Sequence, residues 1–271
     1  MNNFSKVINL HFTNACNYKC RFCHSRFQKS SLTLEDWKKI IDNISNSSKV
    51  ERFNLAGGEP LLSPYIQEII DFIHSKKIDV SIITNASLLT ENFINANKDK
   101  IKVIGISIDA LSESENITIG RHDNKFNTLS LERLTSLCNQ IHKNGIILKI
   151  NTVVNAINCN SNFAPLLDAV KPSRWKILRM IQIEGVNDKD IDIQVSNSEF
   201  QRFVLRHLKF NPVVENTNDI VNAYIIVNPD GKLIDNSNGK YHLSESLVDH
   251  NFEDEFKKIA FNPDAYKKRY A

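Results

Sequence analysis

The feature that most constrains this chain is a repeated alternation of short β-patterned runs with amphipathic helical runs over the first 210 of 271 residues. A strand, a helix and another strand in succession join parallel strands through a crossover, so few folds remain open. The first run, opening at Phe4 and ending at Thr13, sets Ile8, Leu10 and Phe12 against Asn9, His11 and Thr13. That period of two marks a strand with unlike faces. A helix follows, with Thr33 as N-cap, Asp36 three residues on, and an apolar stripe of Trp37, Ile40, Ile41 and Ile44. Further strands are expected at 51–55, 80–84, 103–108, 146–153 and 175–183, and helices near 66–73, 91–97 and 129–141, with Ser196 and Glu199 boxing the start of another. Six βα units predict an α/β chain whose parallel sheet curls into a partial (β/α)6 barrel, here 1–210. Beyond it, 224–227 and 232–234 flank the turn sequence Asn228-Pro229-Asp230-Gly231, so 211–271 is expected as a C-terminal extension covering the site.

Composition narrows the partners. Hydrophobic residues at 41% and charged residues at 24% suit a globular chain, and a net charge of +3 is too small to mark a nucleic-acid binder. Any cationic site must therefore be local. No run approaches the roughly 18–20 apolar residues of a membrane span, and no signal peptide is visible. The expectation is a cytoplasmic monomer that binds neither membrane nor nucleic acid. Five cysteines, three of them within eight residues, argue against a disulfide framework and for thiols free to bind metal. Cys138 shares an apolar helical stripe with Leu134, Leu137 and Ile141, which reads as core; Cys159 stands alone.

The three clustered cysteines lie in Cys16-Asn17-Tyr18-Lys19-Cys20-Arg21-Phe22-Cys23, spaced C-x3-C-x2-C. Thiolates so placed can hold three irons of a [4Fe–4S] cube and leave the fourth open to a chelating ligand. Structural zinc with His24 as fourth ligand is the alternative, weakened because adjacent residues rarely face one tetrahedral ion. The second run ends in Ala56-Gly57-Gly58-Glu59-Pro60, at the strand end where barrel sites form. Absent side chains let a ligand approach the backbone, and Glu59 offers a carboxylate to an ammonium group.

Charges inside the fifth and sixth strand runs are the next signal. Lys149 and Asn151 share one strand face, as do Arg174 and Lys176, with Trp175 and Ile177 on the other. Asn9 and His11 repeat the pattern in the first run. With helices covering the apolar outer face, these polar residues look into the lumen. Three converging cations repel one another unless an anion joins them, and a polyphosphate meets that need.

The cysteine triplet with Phe22 before its last member, together with Gly57-Gly58-Glu59-Pro60, resembles the hallmarks of the radical S-adenosylmethionine (SAM) superfamily. The resemblance implies that the amino and carboxylate groups of SAM chelate the open iron. It also implies that Gly57, Gly58 and Glu59 grip the methionine amino group and that Phe22, Asn85, Ser107 and Arg121 contact SAM. Within the superfamily the chain is similar to the viperin family of antiviral nucleotide-modifying enzymes. The likeness runs through Asn9-Leu10-His11-Phe12-Thr13, Ile119-Gly120-Arg121, Lys149-Ile150-Asn151 with Asn155, Arg174-Trp175-Lys176, Ile183-Glu184-Gly185 and Tyr224.

That second resemblance implies a nucleoside triphosphate (CTP, UTP or GTP) bound above SAM. Asn9, Asn151 and Tyr224 would surround the ribose; Lys149, Arg174, Lys176 and Arg121 would hold phosphates; Lys240 would close over them. The implied reaction is reductive cleavage of SAM to a 5′-deoxyadenosyl radical, with electrons from a donor such as flavodoxin or ferredoxin. Hydrogen abstraction from ribose C4′, loss of the 3′-hydroxyl as water, and addition of one electron and one proton then follow. The product is a 3′-deoxy-3′,4′-didehydro nucleotide, an antiviral chain terminator, with Tyr224 ordering the ribose or delivering the last hydrogen. The chain departs from the animal members in lacking an N-terminal membrane helix and in ending Tyr270-Ala271 without a tryptophan, and it diverges after the Pro229 turn. A radical SAM enzyme for another phosphorylated small molecule, or a non-catalytic iron–sulfur nucleotide sensor, stays open on the residues alone.

Overall fold

A computed structural model describes residues 6–28 and 30–270. Its strands are β1 (Lys6–His11), β2 (Val50–Ala56), β3 (Asp79–Thr84), β4 (Ile101–Ser107), β5 (Ile147–Val154) and β6 (Arg174–Arg179), then β7 (Val213–Glu215), β8 (Ile225–Val227), β9 (Lys232–Asp235) and β10 (His242–Ser246). Among the described residues they form one sheet in the order β10-β9-β8-β1-β2-β3-β4-β5-β6-β7. Strands β1 to β7 are parallel, each beside its predecessor, as successive βα units require.

Period-2 patterning explains why the sheet has two unlike faces. On the outer one, Ile8, Leu10, Phe53, Leu55, Ile82, Ile104, Ile106, Leu148, Ile150, Trp175 and Ile177 are buried. They pack against helix stripes such as Trp37, Ile40, Ile41 and Ile44, or Ile69, Ile70 and Ile73. Each such side chain contributes about 1.5–3 kcal/mol when fully buried. Cys138 belongs to the same core. Trp175 stacks on Phe163 and meets His207 edge-on, which fixes the outward side of β6 and therefore aims Arg174 and Lys176 inward. Both expected capping boxes form, Thr33 with Asp36 and Ser196 with Glu199.

The differences from expectation have local causes. Phe4 lies outside the described residues, and β1 ends at His11 instead of Thr13 because the chain turns there toward the cysteines. Strand β6 stops at Arg179, short of Ile183: the buried Asn187 side chain takes up Ile183 N and Ile181 O and turns the chain away from the sheet. The stretch between β4 and the helix Leu131–Lys143 contains a helix of its own, Glu113–Ile119, capped by Ser112 and ended by the left-handed Gly120. Its single turn or two of apolar pattern is too short for periodicity to reveal. The described strands beyond 210 join the same sheet. Strand β7 extends the barrel beside β6, while β8 pairs in parallel with β1 and turns at Asn228–Gly231 into antiparallel β9. No helix among the described residues is long and apolar enough to cross a membrane.

Candidate active site

The inner face of the sheet and the cysteine loop enclose a cavity of about 920 Å³. Cys16, Cys20 and Cys23 line its mouth at the C-terminal ends of the strands, and Asn9, Asn54, Ser81, Lys149, Asn151, Arg174, Lys176 and Tyr224 line its depth.

Backbone contacts fix the cysteine loop. Gly58 N donates to Thr13 O at 2.8 Å and Glu59 N to Ala15 O at 2.7 Å. A Cβ at Gly58 would fall 2.1 Å from Ala15 O, and one at Gly57 2.4 Å from Thr13 O. The paired glycines are thus required by the chain's own loop. On the other side Lys19 N and Arg21 N donate to Gly120 O and Ile119 O, and a Cβ on Gly120 would meet Lys19 O at 2.3 Å.

Glu59 has a structural role of its own. It is fully buried and does not line the cavity; Oε1 accepts from Thr84 Oγ1 at 2.6 Å and Leu61 N at 3.2 Å, and Oε2 from Asn85 N at 2.7 Å. Its carboxylate holds the turn that presents Asn85. Asn85 in turn donates to Asn17 Oδ1 at 3.0 Å and approaches Cys16 Sγ at 4.0 Å.

Burial raises all three thiols, Cys20 to about 12, so the free loop holds them protonated and binding metal must displace those protons. The donor set suits an iron–sulfur cube: three thiols on one loop face the cavity, with Tyr18 N 3.4 Å from Cys16 Sγ and Arg121 Nη1 3.9 Å from Cys20 Sγ. The His24 ring lies with Nδ1 3.2 Å from Tyr241 OH. His11, hydrogen-bonded to Ser25 Oγ at 3.1 Å, is held down at about 3 by burial and by His24, and so stays neutral.

Arg121 sits beside this loop. It is buried, pairs with Asp109 at 2.7 Å, donates to Ser107 O at 2.5 Å and lies over the Tyr18 ring. Asp109, which also accepts from Val153 N at 2.6 Å, was missed in the sequence. These bonds station Arg121 by Cys20 and Ser107. Phe22 and Ser107 line the same region.

Deeper, an amide chain runs along the wall: Ser81 Oγ donates to Asn54 Oδ1, Asn54 Nδ2 to Asn9 Oδ1, and Asn9 Nδ2 to Ile225 O, at 2.8, 2.8 and 3.1 Å. The three residues are in register on β1, β2 and β3. Asn151 Oδ1 is buried without a partner among the described residues, an acceptor facing the lumen.

The strand cations meet as expected: Lys149 stands opposite Arg174 and Asn151 opposite Lys176. Lys149 forms no ion pair among the described residues, and burial, then Lys176, lowers its pKa well below the ordinary value. Lys176 pairs with Glu215, and Arg269 binds the same carboxylate at 2.8 Å. Neither Glu215 nor Arg269 was anticipated. Burial would raise the Glu215 carboxyl, but Lys176 and Arg269 outweigh it and hold it down at about 2. One carboxylate thus faces Lys149, Arg174, Lys176 and Arg269, and the lumen keeps an excess of positive charge. Lys240 is not brought to this cavity: it is exposed and pairs with Glu184 at 2.8 Å.

A parallel partial barrel whose strand ends present a three-cysteine loop beside a glycine-braced turn defines a radical SAM protein, and the sequence model of the radical SAM superfamily matches residues 10–156. Solved structures agree on the fold. Streptococcus suis SuiB bound to precursor peptide SuiA superposes with a TM-score of 0.71 at 14% identity, over 98% of this chain and 66% of that one. Native anSMEcpe with bound AdoMet gives 0.70 at 14% identity, over 94% and 80%. Curated relatives are nearer. An S-adenosylmethionine-dependent nucleotide dehydratase of Flammeovirga pacifica is 31% identical over 99% of this chain and 95% of its own length. One of Selenomonas ruminantium is 32% identical over 97% and 98%. The chain belongs to the radical SAM superfamily and, within it, to the family of S-adenosylmethionine-dependent nucleotide dehydratases. It is an enzyme of the radical SAM type, whose cofactors are a [4Fe–4S] cluster and SAM.

Proposed function

We propose that this enzyme dehydrates a nucleoside triphosphate at the ribose, giving the 3′-deoxy-3′,4′-didehydro nucleotide. The observation that carries this reading is the cluster of Lys149, Arg174 and Lys176 on β5 and β6, of which only Lys176 has a carboxylate partner among the described residues, deep in a cavity whose mouth is the cysteine loop. An anion of several charges offsets their charge, and the names of the relatives supply the nucleotide.

Cys16, Cys20 and Cys23 would hold the cluster, with Gly57, Gly58, Asn85, Ser107, Arg121 and Phe22 around SAM. Held there, the cluster and SAM would supply radical chemistry, the removal of a hydrogen atom from ribose C4′. The chain itself does the rest by placement. Lys149, Arg174 and Lys176 draw the phosphates toward the far end of the lumen, so the ribose stops beneath the mouth. Asn9, its amide turned by Asn54 and Ile225 O, and the open acceptor of Asn151 face the ribose hydroxyls. Tyr224 orders the ribose edge or passes a proton to the departing 3′-hydroxyl, the accompanying electron coming from the external donor. The core-packed helices keep bulk water from a radical made there. Free thiols on a metal-binding loop suit a reducing cytoplasm and a flavodoxin- or ferredoxin-type donor.

The test is anaerobic reconstitution with SAM and reductant, each nucleotide added in turn. Expected are 5′-deoxyadenosine and a nucleotide lighter by one water, from a triphosphate far faster than from its free nucleoside. Equal turnover of the two would remove the phosphate argument.

A further inference from the structure

Glu215 lies on β7, at one end of the sheet, and Tyr224 directly precedes β8, on the opposite flank beyond β1. The two side chains nonetheless meet: Tyr224 OH donates to Glu215 Oε2 at 2.6 Å. Lys176 on β6 reaches both, pairing with Glu215 and donating to Tyr224 OH at 3.2 Å. Arg269, from the helix Pro263–Tyr270, closes the group from behind. Its guanidinium lies 3.4 Å from the Tyr224 ring centroid and binds both Glu215 oxygens, at 2.8 and 3.1 Å, besides Asp219 O and Ala223 O. Arg174 donates to Arg269 O. Glu215 and Arg269 are each 3% exposed. The seam between the flanks of an open barrel is thus bridged by one buried carboxylate, touching a cation of the phosphate site and the phenol of the ribose site at once.

A buried carboxylate set among cations is costly to keep merely as structure, because well-packed apolar residues of the same volume often serve as well. Its value lies in what it connects. Resting on the nucleotide reading above, we propose that Glu215 is a positioning residue for the dehydration: it fixes the Tyr224 hydroxyl through its own hydrogen bond and ties that hydroxyl to Lys176, so that phosphate binding and ribose placement are set by one group. The carboxylate also competes with the phosphates for Lys176. Glu215 therefore lowers affinity for the triphosphate while raising the productive use of each bound nucleotide.

This predicts a split that loss of folding does not produce. In the reconstituted holoenzyme, Glu215→Gln frees Lys176 and loosens Tyr224. Measured at about pH 6, where Lys176 keeps its proton without the pull of Glu215, apparent KM for the triphosphate should hold or fall, while kcat for dehydrated nucleotide drops about tenfold or more, the worth of one charge-assisted hydrogen bond. The ratio of 5′-deoxyadenosine to dehydrated nucleotide should rise several-fold, and the triphosphate-induced rise in Tm should exceed that of the unaltered enzyme. If Glu215→Gln yields no folded chain, Glu215→Asp, which keeps the charge and shortens the reach, should show the same raised ratio with unchanged iron content. A kcat, KM and product ratio like those of the unaltered enzyme would overturn the proposal, as would a KM that rises in step with falling kcat. The unaltered enzyme supplies the separate control: should it lack preference for triphosphate over nucleoside, the nucleotide reading has failed and not the role of Glu215 alone.

Discussion

Gly58→Ala tests whether the glycine pair exists to seat the cysteine loop. An added Cβ would sit 2.1 Å from Ala15 O, 2.6 Å from Ala15 C and 2.9 Å from Asn14 C. All three are backbone atoms, so no side chain can swing aside, and the loop must retreat from Gly58. Retreat breaks two bonds, Gly58 N to Thr13 O and Glu59 N to Ala15 O. At about 0.5–1.5 kcal/mol net for each, the loss is about 1–3 kcal/mol. For a domain of this size that lowers Tm by roughly 2–12 °C. Cys16 follows Ala15 directly, so displacement is passed to the first cluster thiol. Iron and sulfide per chain after anaerobic reconstitution should fall below about half of the unaltered value, a loss that this disruption of a sulfur ligand implies. 5′-Deoxyadenosine formation should fall with them. Thermal denaturation of the metal-free chain reads the first effect and metal analysis the second. Full iron loading with unchanged Tm would refute the reasoning, since it would mean that the loop tolerates a methyl group where the structure leaves no room.

The remaining predictions concern the thiols and the lumen charge. Cys16→Ala, Cys20→Ala and Cys23→Ala should each abolish the cluster's brown colour and 5′-deoxyadenosine, whereas Cys138→Ala and Cys159→Ala, altered in the core, should keep both; a need for Cys159 equal to that for Cys20 would overturn the ligand assignment. Burial lowers Lys176 from 10.5 to about 8 in the free enzyme, against the pull of Glu215. Phosphate binding needs the charged form, so KM for the triphosphate should rise as pH climbs from 7 to 9, and Lys176→Arg, which stays charged, should flatten that rise. Between about 8 and 10.5 the unfolded chain holds the Lys176 proton more tightly than the folded one, so this group makes the free enzyme gain stability with rising pH. Over that window the triphosphate-induced rise in Tm should shrink; a rise independent of pH would count against Lys176 as a phosphate ligand.

The sequence by itself determined the parts that depend on local pattern. Strand and helix order followed from periods of two and 3.6, and the lumen orientation of Lys149, Asn151, Arg174 and Lys176 followed from their two-residue spacing against Trp175 and Ile177, because successive strand side chains must face opposite ways. The cysteine loop was legible from spacing alone. Tertiary structure decided which groups answer them. Glu215 ends a brief apolar run, and Arg269 closes the basic run Lys267-Lys268-Arg269; nothing local marks either, and they meet Tyr224 only because β7 and β8 join opposite flanks of the sheet. Glu59 also braces the turn, its oxygens accepting from Leu61, Thr84 and Asn85, partners that no local pattern marks. Asp109 and Arg121 became a pair only when β4 and the helix Glu113–Ile119 brought them together. A strand pattern states which way a side chain points, but its partner comes from pairings tens to hundreds of residues away, and those are chosen by how the whole sheet buries its outer face.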